Sequence, residues 1–209
     1  MELLDGAPDP QARVNLADIV RINRYFGGHS SLAGLIPDDL PAAFTALDVG
    51  AASGDMGRAV KRRFPGAWVV AADAIPRNLR QAQPPKLAAD GFHLPFADRT
   101  FDVVWSSLFL HHFSSGDAAR LLREMQRVAR RYVIALDLER SRLSYRFLPF
   151  TRRLLGWHPM TVHDGMASVQ SAFTKEELAA VALEAGLADV RIRRHMPWFR
   201  ISLVAPVVS

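Results

Sequence analysis

From residue 11 to residue 26 apolar side chains recur near helical spacing, at Val14, Ile19, Ile22 and Phe26, and Gly27-Gly28 stops them. The first ten residues, with Gly6, Pro8 and Pro10, read as a loose leader. A second short helix is predicted over 31–36, ending before Pro37. The pattern then changes. Residues 44–49 form a short apolar run closed by Gly50, as expected of a strand buried on both faces. Residues 55–64 predict a helix stopped by Pro65-Gly66, and 68–72 a second strand ending at Asp73. A helix over 76–83, broken by Pro84-Pro85, leads to a third strand at 86–89. A fourth strand at 101–106, a helix at 116–128 and a fifth strand at 132–137 follow.

After Asp137 this alternation gives way to a polar, arginine-rich stretch reaching about residue 171. Residues 174–185 predict a helix with a Thr174-x-x-Glu177 capping box and Gly186 as its stop. Strands at 189–195 and 198–204 are joined only by Met196-Pro197, a link so short that they must be antiparallel. Strands alternating with helices at this spacing predict an α/β fold on a mainly parallel sheet.

Composition adds limits. A chain of 209 residues is the length of one domain, and 49% hydrophobic with 22% charged residues suits a globular protein. With no cysteine, disulfides, thiolate metal sites and cysteine nucleophiles are excluded together. The net charge of +5 fits nucleic acid, a membrane surface or acidic substrates, but equally an arginine content spread along the chain. The start Met1-Glu2-Leu3-Leu4-Asp5 is acidic and has no apolar signal region, and no run approaches the ~18 apolar residues of a membrane span. A cytoplasmic location is the expectation.

The candidate chemistry begins in the loop Asp48-Val49-Gly50-Ala51-Ala52-Ser53-Gly54-Asp55, between the first strand and its helix. Small residues there let a ligand approach backbone N–H groups at a helix N-terminus, beyond the carboxyl ends of the strands. A tight turn would use the same residues. Asp73 closes the next strand about twenty residues after the glycines, where a carboxylate can accept from ribose hydroxyls; capping the following helix is its alternative use. Asp90-Gly91 stands where an adenine edge could meet it, or is a simple turn. A dinucleotide fingerprint wants glycine at the first, third and sixth loop positions, and Gly50, Ala52 and Asp55 fail it twice.

These segments, Ala46-Leu47-Asp48-Val49-Gly50 through Gly54-Asp55, Val70-Ala71-Ala72-Asp73, Ala89-Asp90-Gly91, and Leu94-Pro95-Phe96 with Phe101-Asp102-Val103-Val104, resemble in order the motifs of class I S-adenosylmethionine-dependent methyltransferases. They are most similar to the small-molecule branch that contains the ubiquinone and menaquinone biosynthesis methyltransferases. The resemblance covers roughly residues 44–204. It implies a Rossmann-like sheet of seven strands, mostly parallel with an antiparallel C-terminal strand. It also implies one methyltransferase domain over 1–209, with an N-terminal helical cover (1–43) and an inserted lid (138–173). S-adenosyl-L-methionine is the implied cofactor and S-adenosyl-L-homocysteine its product. By the same resemblance Gly50, Ala51 and Ala52 approach the methionine portion, Asp73 takes the ribose, Asp90 the adenine amine, and Ser106 lines the reactive end. Asp48, Gly54, Ala74 and Gly91 complete the expected cofactor set. Ala52 departs from the usual glycine, and its methyl narrows the loop.

A phenol of pKa near 10 needs help losing its proton, and histidine can take one near neutral pH. His111-His112, after the fourth strand, is the expected base, with capping or filling the turn before Phe113 as the other use. His163-Asp164 in the lid could be a base with its orienting acid, or a surface pair, and His158 lies nearby; His93 is read as structural. Residues 137–145, Val162-His163-Asp164-Gly165 and residues 168–173 are similar to a bacterial subgroup that tailors phenolic or polyketide metabolites. Arg140, Arg142, Arg146, Arg152 and Arg153 interleave with Leu143, Phe147, Leu148, Phe150 and Leu154: an amphipathic helix against a membrane or lipid-like substrate, or a solvated lid face. Pro149 is expected to interrupt any helix there. The reading is O-methylation of a hydroxylated aromatic or polyketide-like small molecule, in secondary metabolism. Carbon methylation of a quinone or enol is the alternative; RNA methylation and a non-catalytic cofactor-binding protein are more remote, and nucleic acid is not an expected partner. No metal site is expected, because no His/Asp/Glu cluster has ligand spacing.

Overall fold

The structure, a computed structural model, describes residues 9–83 and 85–207, so most of the leader, 1–8, and Pro84 lie outside the described residues. The strands are β1 (Thr45–Val49), β2 (Trp68–Asp73), β3 (Lys86–Ala88), β4 (Phe101–Ser107), β5 (Ala129–Leu138), β6 (Arg191–His195) and β7 (Arg200–Pro206). They form one sheet in the order β3-β2-β1-β4-β5-β7-β6. Strands β1 to β5 are parallel, β7 runs antiparallel to β5, and β6 antiparallel to β7. The helices are α1 (Asp9–Tyr25), α2 (Gly28–Leu35), α3 (Asp55–Arg63), α4 (Ser115–Val128), α5 (Arg142–Leu155), α6 (Pro159–Ser171) and α7 (Lys175–Glu184).

The central strands are apolar on both faces, so alternate residues feed two cores. Leu47, Val104 and Val133 pack with Leu121, Leu122 and Met125 of α4 and with Leu178 and Val181 of α7. Ala46, Val103, Trp105 and Ile134 pack with Leu32 of α2 and with Met56 and Val60 of α3. At about 1.5–3 kcal/mol for each large apolar side chain buried, these two layers hold the sheet against its helices.

Three expectations are corrected. The helix over 76–83 is only a 3-10 turn, Asn78–Gln81; Asp73 accepts from Ile75 N–H at its entry, and Lys86 Nζ takes the carbonyls of Leu79 and Ala82 at its exit. Gly27, at φ +75°, ends the first helix as expected, but the second helix, α2, begins at once at Gly28 rather than at residue 31. Pro149 does not interrupt the arginine-rich segment, which folds as α5 straight through it and then α6. A proline removes one i→i−4 bond, and packing of the inner face against α6 and, through Phe147, against Phe26 outweighs that loss.

The capping box is formed: Thr174 Oγ1 accepts from Glu177 N–H and Glu177 Oε2 from Thr174 N–H. Thr174→Ala should cost about 1 kcal/mol, roughly 2–4 °C in Tm for a chain of this size, measured by thermal denaturation.

Candidate active site

Above the carboxyl ends of β1, β2, β4 and β5 lies a cavity of about 680 Å³, within the usual range of roughly 300–1,000 Å³ for small-molecule sites. Its floor is the loop after β1, contributing Asp48, Gly50, Ala51 and Ala52, with Asp73 and Ala74 from the end of β2. Its far walls come from α1, α5 and α6.

The loop alternates left-handed residues, Gly50 at φ +70°, Ala52 at +43° and Gly54 at +67°. A side chain on Gly50 would meet the Phe109 ring, only 2.6 Å from an added Cβ. Ala52, which carries a methyl in this region, is held by its N–H donating to Asp73 Oδ2 at 2.9 Å. The other Asp73 oxygen accepts from Ile75 N–H at 2.8 Å, so the carboxylate both caps the following turn and clamps the loop. Asp48, buried at the loop's foot, has its carboxyl pushed up to about 8 by burial and by the charge of Asp55, against the smaller opposing pull of Trp105 and the Gly57 backbone. Asp55 opens α3 and accepts from Ser53 Oγ, Asn23 Nδ2 and His29 Nε2. Burial would raise its pKa, but the His29, Asn23 and Ser53 bonds hold it below the carboxylate range.

Across the cavity, His111 Nδ1 meets Asp137 Oδ1 at 2.6 Å. Asp137 ends β5, and its carboxylate also accepts the N–H groups of Leu138 (2.7 Å) and His111 (3.2 Å). Burial alone would raise the Asp137 pKa; the His111 charge and these hydrogen bonds more than offset it and keep the acid ionised. The His111 side chain is 5% exposed, and the His112 ring lies against it with centroids 4.4 Å apart. Both histidines line the cavity.

Other expected residues stand elsewhere. His163 pairs with Asp164 at 3.1 Å, as its spacing suggested, but its side chain is 58% exposed, and Asp164, not His163, lines the cavity. His158 accepts from Met160 N–H as the cap of α6, and His93 pairs with Asp90 at the surface. Ser106 is buried on the other face of β4, and its neighbour Ser107 reaches the cavity, because successive residues of a strand point to opposite faces. Gly54 packs on Ala82, while Asp90 and Gly91 lie outside the lining, Gly91 against Leu121 with the Phe109 ring nearby.

Three residues escaped the sequence reading, Asn23 and Arg200 in the cavity lining and Asp137 behind His111. Asp137 is legible only once β4 and β5 are known to be parallel neighbours, which sets it beside the turn after β4. Arg200, opposite Leu138 in the β5–β7 register, is fully buried; its Nη2 donates to Asn23 Oδ1 and its Nε to the Phe26 carbonyl. Burial pulls it down to about 10, and its Nη1, like Ser107 Oγ, has no hydrogen-bond partner among the described residues. Asn23, which joins Arg200 to Asp55, gave no signal at all. The lining thus carries three aspartates besides the protonated Asp48, namely Asp55, Asp73 and Asp164, against one arginine. Such a surface favours a cationic ligand, and the glycine floor leaves it room to lie on backbone. Among the described residues no group of three or more His, Cys, Asp or Glu could hold a metal ion, and no helix is long and apolar enough to cross a membrane.

Residues 47–135 match the family described as "Methyltransferase domain". A demethylmenaquinone methyltransferase of Roseiflexus sp. (strain RS-1) is 30% identical over 172 residues, 73% of this chain and 71% of that protein. Among solved structures, magnesium protoporphyrin IX methyltransferase from Synechocystis PCC 6803, with bound S-adenosylhomocysteine, superposes at TM-score 0.60 and 16% identity, covering 88% of this chain and 84% of that one. The CalO1 methyltransferase of calicheamicin biosynthesis, also crystallised with that product, superposes at TM-score 0.63 and 22% identity, covering 87% and 54%. The chain belongs to the class I S-adenosylmethionine-dependent methyltransferases. It is an enzyme of that class, and S-adenosylmethionine is its cofactor.

Because the folded-state pKa of Asp48 lies above its ordinary 3.8, at about 8, the folded chain holds a proton between these values that the unfolded chain lacks. Stability contributed at this position therefore falls as pH rises through that window. Asp48→Asn, which mimics the neutral acid, should lose less Tm from about pH 5 to about pH 8 than the wild type, as measured by thermal denaturation across pH. An identical decline in the two proteins would mean that Asp48 is ionised throughout.

Proposed function

We propose that this enzyme methylates a hydroxyl oxygen of a planar aromatic or polyketide-like small molecule, with His111 as the base. The observation that carries this reading is the buried His111–Asp137 pair opening on the same cavity as the glycine loop. An ionised Asp137 accepting from Nδ1–H assigns the neutral ring the tautomer whose Nε2 is the proton acceptor. The opposite wall suits a flat apolar substrate. Phe26 meets Phe147 edge to face at 5.0 Å and Trp198 at 5.9 Å, Phe147 meets Phe199 at 5.8 Å, and all four line the cavity.

When bound, S-adenosylmethionine supplies an activated methyl on a sulfonium and leaves as S-adenosylhomocysteine. Gly50, Ala51 and Ala52 are assigned to its methionine portion, Asp73 and Ala74 to the ribose, and Asp90 beside Gly91 to the adenine amine. Asp48 and Gly54 shape the loop, and Ser107 replaces Ser106 at the reactive end. His111 takes the substrate hydroxyl proton, so that the oxygen acquires a lone pair to bond the methyl carbon as the carbon–sulfur bond breaks. Asp137 steadies the resulting imidazolium. Helices α5 and α6, acting as a lid, exclude water and hold the acceptor in line.

Carbon methylation of a quinol or enol is the second reading, favoured by the name of the Roseiflexus relative. The same base would then take the enol O–H proton, the ring carbon would bond the methyl, and loss of the hydrogen on that carbon with reprotonation of the oxygen would leave the product its ionisable hydroxyl.

Calorimetric titration with S-adenosylmethionine and S-adenosylhomocysteine, with NAD as control, should show micromolar binding of the first two only. Asp73→Ala should weaken that binding by about tenfold or more, the loss of a charge-assisted hydrogen bond. His111→Ala should leave it unchanged and lower turnover of a phenolic acceptor by roughly 10²–10⁴-fold. Full turnover by His111→Ala would remove the base from this reading, and a product still titrating as a phenol would decide for carbon.

A further inference from the structure

Helix α5 has two apolar faces with different destinations. Ser144, Tyr145, Phe147 and Leu148 turn inward and line the cavity. Leu143, Phe150 and Leu154, at i, i+7 and i+11, form a narrow stripe on the outside. They are 60%, 89% and 85% exposed, and none of the described residues covers them. Arg142, Arg146 and Arg153 run along one flank at i, i+4 and i+11, with Arg152 also exposed. The helix contains no acidic residue, and among the described residues none of these four arginines is paired with a carboxylate.

We infer that the outer face of α5 docks onto an anionic lipid surface and brings the wall of the cavity against the bilayer. Charge and apolarity together select this occupant. A helix lying in the interface buries its Leu and Phe side chains among the acyl chains, while flanking arginines reach the headgroup phosphates. A second copy of the chain would oppose four arginines with four more and offer no acid from the same helix. A nucleic acid would accept the arginines but leave Phe150 and Leu154 in water. Tyr145 and Leu148 are carried on the same helix as the docking stripe, so an apolar substrate held in the lipid would lie next to the cavity wall. That consequence rests on the proposed methyl transfer to an apolar acceptor; the docking itself does not.

The test is co-sedimentation with mixed phosphatidylglycerol–phosphatidylcholine vesicles and with phosphatidylcholine alone, read without turnover. The wild type should pellet with the anionic vesicles only, and less so as salt is raised. Replacing Arg142, Arg146 and Arg153 by Gln should weaken binding by about fivefold per arginine. The double variant Phe150→Ser/Leu154→Ser should weaken it at least tenfold, with S-adenosylhomocysteine binding retained as evidence of folding. As an independent readout at the stripe, Phe150→Trp should show a fluorescence blue shift on adding anionic vesicles beyond that of the wild type. Absence of pelleting, equal binding to neutral vesicles, or no added blue shift would overturn the inference. So would a dimer in light scattering that the Phe150/Leu154 variant abolishes, or tight binding of a duplex DNA probe in place of vesicles. Failure of methyl transfer with vesicle binding intact would overturn only the catalytic reading.

Discussion

The parallel register of β1 with β2 on one side and β4 on the other is the constraint from which the rest of this molecule follows. Asp48 pairs with Ala71 and with Trp105, so the carboxyl ends of the three strands finish side by side. Each must be continued by a loop on the same edge of the sheet, and each loop delivers one part of the site. β1 provides the glycine turn, β2 the Asp73 clamp, and β4 the turn bearing His111. β5 alongside β4 adds Asp137, which closes the pair with His111. Both faces of these strands are sealed by helices, so the loops at this edge are where polar groups can gather without crossing the core.

Buried charge at this edge is arranged in linked pairs. Asp55 is held by Asn23, His29 and Ser53, and Asn23 passes the link to Arg200 on β7. That chain of bonds ties the N-terminal helix to the loop after β1 and to the antiparallel end of the sheet. Removing one partner of such a network leaves a desolvated charge behind, a larger loss than any single bond contributes. On the opposite side Asn15 donates to the buried Asp164, and Asp18 accepts from Thr161 Oγ1 and His158 N–H, so α1 also anchors α6. The first helix is therefore part of the cavity's wall, fastened at its middle through Asn15 and Asp18 and near its C-terminal end through Asn23.

Much of this was legible beforehand, for reasons that differ by element. The strands and their order of use were visible because two-sided burial leaves unbroken apolar runs, as in residues 44–49 and 101–106. The Thr174–Glu177 box was visible because capping is local. The segment 76–83 misled because its composition permits a helix, whereas the Asp73 carboxylate and Lys86 ammonium, outside the segment, stop it after one turn. α5 misled in the other direction: the penalty of Pro149 is local, and the packing that overrides it is not.

The class of fold, the glycine loop and the position of Asp73 at the end of β2 are readable from the residues alone, since each rests on short-range pattern, spacing and backbone preference. It took the tertiary fold to show which cavity-lining histidine is held by a buried carboxylate. His111 and Asp137 are separated by 26 residues and meet because two strands are neighbours, whereas His163, adjacent to its aspartate, is turned to solvent. The fate of Arg200 was likewise undecidable from its neighbours along the chain: a guanidinium is buried only where distant groups receive it, and Asn23 lies 177 residues away.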